Sequence, residues 1–77
     1  MSDIPVVVQR QVLVGELREW EVARYQMSVR HRVNKRIGAD AEVLARIVAD
    51  LERCEKAIDV LAADLEALDA PPPMAGG

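Results

Sequence analysis

The sequence predicts an all-α fold, an antiparallel two-helix hairpin of coiled-coil type, and three observations point to it. Leu44, Ile47, Leu51, Cys54, Ile58, Leu61, Leu65 and Leu68 follow one another at alternating spacings of three and four. That unbroken heptad seam is the pattern by which one helix winds against another. A second stretch of helical periodicity runs from about Gln9 to Ile37. Between the two stand Gly38 and Asp40, a helix stop followed by a helix start.

Residues 1–8 are expected to be an extended or flexible N-terminal arm. The residue before Pro5 is pushed away from helix, and Val6, Val7 and Val8 favour extended backbone. If they formed a strand, its partner would have to be another chain. The arm lacks a basic leader and its apolar run is short, so a soluble, cytoplasmic chain is expected.

Helix 1 is expected over about 9–37, with only Gly15 against it. Gly38 supplies the left-handed position that ends many helices, and residues 38–40 make the turn. Helix 2 is expected over about 41–69. Asp40 is its candidate N-cap, and Glu42–Arg46 and Glu52–Lys56 are acid-first pairs four apart. Pro71, Pro72 and Pro73 stop it, and residues 71–77 read as a flexible Pro/Gly-rich tail. So short a turn lays the helices side by side, and at about 1.5 Å per residue they span similar lengths.

The hairpin's core is the seam of helix 2. Helix 1 carries two apolar stripes, Leu13–Leu17–Trp20–Met27 and Val22–Tyr25–Val29–Val33, and helix 2 can cover one. The first stripe, continued by His31, is expected to be the partner interface. Trp20 would be its anchor, because buried aromatics dominate interface energies. On that expectation Trp20→Ala separates subunits and leaves helix content intact.

A chain of 77 residues with one cysteine and one histidine has neither a disulfide nor a zinc site to stabilise a small core. Oligomerisation into a helical bundle, or docking on a larger complex, is therefore expected. Catalytic chemistry is not: Ser28 and His31 lack a third orienting group. Cys54 sits within the seam as a small apolar residue. No cofactor, metal or small-molecule substrate is implied, and helix 2's carboxylates read as a solvated face.

Charge is segregated along the chain. Residues 1–23 hold two Arg and four acids, residues 24–37 five basic residues and no acid, and residues 38–77 three basic residues and nine acids. Arg30, Arg32, Lys35 and Arg36 complement the helix 1 dipole. They are also the residues that would contact an acidic protein or a phosphate, and so the basis of an alternative function as a small nucleic-acid-binding regulator. Their scatter around the helix and the lack of stacking aromatics weigh against that.

In general build the chain resembles small accessory proteins of tailed bacteriophages and of other large assemblies: a hairpin, loose ends and no active site. The resemblance implies a virion or assembly component. The expected function is a non-enzymatic structural or adaptor protein acting through helix–helix packing.

Overall fold

The structure, a computed structural model, describes residues 4–69. Expectations for residues 1–3 and for the tail at 71–77 lie outside those residues. Two helices make up the fold, α1 (Val6–Arg36) and α2 (Ala41–Asp69), packed antiparallel. The molecule measures 60 × 26 × 19 Å. With helices about 10–12 Å across, that section is two helices wide.

α1 begins at Val6, earlier than the predicted Gln9, so residues 6–8, expected in the extended arm, are helical instead. Pro5 is the residue flanking the helix, with φ −60° and ψ 151°, and its carbonyl accepts from Val8 N and Gln9 N, both at 3.0 Å. Gln9 Nε2 donates to the Ile4 carbonyl at 2.7 Å. The helical penalty of a β-branched residue is only tenths of a kcal/mol. A turn that satisfies backbone groups and lies along the end of α2 outweighs it. Arg10 forms an ion pair with Asp69 across that open end. Both side chains are largely exposed, so the pair marks register more than it adds stability.

The turn closes as the sequence predicts. Gly38 has φ +79°. Ala39 N donates to Asn34 O at 2.9 Å, and Gly38 N to Lys35 O at 3.4 Å, the paired bonds of a Schellman motif. Leu44 N then donates to the Asp40 carbonyl at 3.1 Å, opening α2.

So short a link sets the level of each α1 residue against α2. Gln9 lies level with Leu68, Leu13 with Leu65, Leu17 with Leu61 and Trp20 with Ile58. Further toward the turn, Ala23 lies level with Cys54, Met27 with Leu51, His31 with Ile47 and Asn34 with Leu44. Every one of these residues is buried or half-buried. Among the described residues only Ile47 (7% exposed) and Cys54 (5%) are buried outright, in the half nearer the turn. Small Ala23 stands level with Cys54, the more deeply buried of the two.

The two helical-region glycines differ in what they do. A Cβ built on Gly15 or on Gly38 meets nothing within 4 Å, but only Gly38 has a positive φ. Gly15→Ala is expected to stabilise the hairpin by up to about 1 kcal/mol, a rise in Tm of several degrees. Gly38→Ala should lower stability by about 1–2 kcal/mol through backbone strain alone. Thermal melts followed by circular dichroism read both signs.

Candidate protein-interaction surface

Helical spacing places the two stripes of α1 on roughly opposite sides of the helix. The structure puts Leu13, Leu17, Trp20, Met27 and His31 at half-buried positions on the side level with the α2 seam. They belong to the hairpin's interior, together with Gln9, Ala23 and Asn34, which the sequence reading left out. The seam residues Leu44, Ile47, Leu51, Cys54, Ile58, Leu61, Leu65 and Leu68 form the α2 side of that interior.

The second stripe is the open one. Val22 is 52% exposed, Tyr25 69% and Val33 50%, with Val29 half-buried between them. Once α1 starts at Val6, the stripe continues toward the N-terminus through Val14 and Val7, both exposed. Val7, Gln11, Val14, Arg18, Val22, Tyr25, Val29 and Val33 then make a second heptad-like seam, interrupted by Gln11 and Arg18. Tyr25, Gln26, Val29 and Val33 also line a shallow groove on this face. Exposed apolar side chains in series, rather than singly, mark a surface that is covered by something.

Few buried residues and a series of exposed apolar side chains point to a partner or an oligomer.

Charged and reactive groups show no comparable convergence. Arg30, Arg32, Lys35 and Arg36 are all exposed and are distributed around α1. Ser28 is exposed, whereas His31 is half-buried level with Ile47. Among the described residues no group of three or more His, Cys, Asp or Glu is placed to hold a metal ion. Among them, too, no helix is long and apolar enough to cross a membrane.

Cys54 is a free, buried thiol. It is expected to resist an aromatic disulfide reagent at neutral pH in the folded protein and to react fully in denaturant. Rapid reaction under native conditions would show the helices opening at the Ala23–Cys54 level.

Fold and surface together define a small helical hairpin with one unpartnered helix face. Compared with protein-family models, curated proteins and solved structures, the chain finds no match.

Proposed function

We propose that this protein is a non-enzymatic structural or adaptor component that works by helix–helix packing, self-associating or docking within a larger assembly. The observation that carries the proposal is the outer stripe of α1, which stays open after α2 has covered the opposite face. A two-helix hairpin with two buried residues among those described has little core of its own, and small chains usually gain what they lack by association. The outer stripe, rather than the Trp20 stripe, is the contact surface in this proposal.

Sedimentation of the full chain over a range of concentrations tests it. A defined oligomer, or an orphan whose helix content falls on dilution, supports association as the protein's way of working. A monomer that melts cooperatively at high dilution removes the proposal.

Nucleic-acid binding through Arg30, Arg32, Lys35 and Arg36 is the competing function, favoured only by the full exposure of those side chains. Phosphate contacts impose steep salt dependence, so binding to DNA and RNA at two salt concentrations separates the two. No affinity at low salt disposes of it.

A further inference from the structure

We infer that the outer face of α1 binds the same face of a second copy of this chain, antiparallel, about a two-fold axis beside the Tyr25–Gln26 peptide. This rests on the associating function proposed above and adds the partner, the orientation and the register.

The argument begins with charge. Glu19 and Glu21 precede that peptide, and Arg30 and Arg32 follow it at mirror-image distances. Helical spacing places Glu19 and Arg30, eleven residues apart, along one flank of the apolar stripe, and Glu21 and Arg32 along the other. Two antiparallel helices related by a two-fold axis present like flanks to each other. Reversing a second copy therefore sets Glu19 beside Arg30 of that copy, and Glu21 beside its Arg32, each pair within two residues, about 3 Å, of the same level. The two-fold axis repeats both pairings, since such an interface uses the same patch twice.

The same register serves the apolar residues. Val22 comes level with Val29 of the second copy, Tyr25 with Gln26 across the axis, and the aliphatic stem of Arg18 with Val33. The overlap runs over residues 15–36 of both chains, about 33 Å of paired helix. A parallel pairing would instead set Glu19 against Glu19 and Arg32 against Arg32, like charge on like.

The hairpin leaves these groups available. Glu19, Glu21, Arg30 and Arg32 are exposed, and among the described residues none of their side chains has an ion pair or hydrogen bond. Because the stripe faces away from α2, the second hairpin meets no steric conflict. The four helices run in the order α2, α1, α1 and α2.

Charge reversal tests this on the full chain by sedimentation equilibrium, with circular dichroism to follow the fold. E19K/E21K makes all four flanking charges positive, and R30E/R32E makes them all negative. Each variant alone is expected to keep its helix content and to dimerise about a hundred-fold more weakly than the wild type. Mixed one to one, the two should dimerise again, less strongly as salt is raised. Orientation is read in a Cys54→Ala background under an added thiol oxidant. Val22→Cys with Val29→Cys should cross-link into a dimer, and Val22→Cys alone should not.

An oligomer indifferent to the charge swaps would overturn this interface and leave the broader associating function standing. Cross-linking of the single Val22→Cys variant would overturn the antiparallel orientation. A wild type that stays monomeric and melts cooperatively would overturn both the interface and the function it rests on.

Discussion

Ile47→Ala is expected to unfold the protein rather than weaken it. Ile47 is one of two residues buried outright, 7% exposed, on the α2 seam level with His31 near the turn. Removing buried methylenes from isoleucine costs about 2–5 kcal/mol, through lost transfer energy plus the cavity left behind. A chain of this size holds roughly 3–5 kcal/mol in its core, so the substitution takes most or all of it. The site has little means of collapse, because its neighbours on the seam, Leu44 and Leu51, are themselves half-buried and already fill their own levels. Helix content measured at micromolar concentration should fall to that of a marginal isolated helix. Raising the protein concentration should restore part of it, since association stabilises only the folded hairpin. Helicity unchanged at every concentration would place the centre of the hairpin somewhere other than Ile47.

The hairpin was legible from sequence because its signals are local and agree with one another. The seam from Leu44 to Leu68 repeats without a break. Among the described residues Gly38 marks the only left-handed position, and Asp40 stands where α2 begins. The start of α1 was less legible. Three consecutive valines read as extended chain when judged by propensity. What offsets that propensity is a first turn with its backbone groups paired, the Pro5 carbonyl accepting from Val8 N and Gln9 N and the Ile4 carbonyl from Gln9 Nε2. The two stripes of α1 were visible, but which of them faces α2 was not settled by periodicity alone. The needed signal lay in the register. Counting back from the turn puts Leu13, Leu17, Trp20 and Met27 level with Leu65, Leu61, Ile58 and Leu51, and Val22 and Tyr25 level with no residue of the seam. Two polar members of the inner face, Gln9 and Asn34, escape any search for apolar residues and emerge only when the seam is matched level by level, whereas His31 already continues the first stripe in the sequence.

That register reverses the expectation for Trp20. On the sequence alone Trp20 is an intermolecular anchor, and its loss separates subunits with the helices intact. In the structure it is half-buried on α1's inner side, level with Ile58 and one turn from the Ala23–Cys54 level. Trp20→Ala should therefore melt the hairpin itself. Fully buried tryptophans cost about 3–5 kcal/mol on truncation, and a half-buried one somewhat less, about 2–3 kcal/mol. Against so small a core that still removes most of the folded population at micromolar concentration. The contrasting change is Tyr25→Ala on the outer stripe. With 69% of its surface exposed, Tyr25 contributes little to the hairpin, and its loss should leave the helix signal unchanged while lowering the sedimented mass. The pair of variants separates folding from association: one face of α1 holds the chain together and the other holds chains to each other. Equal loss of helix from both would mean that the hairpin forms only within the assembly. Loss of mass without loss of helix for Trp20→Ala would return the interface to the inner stripe.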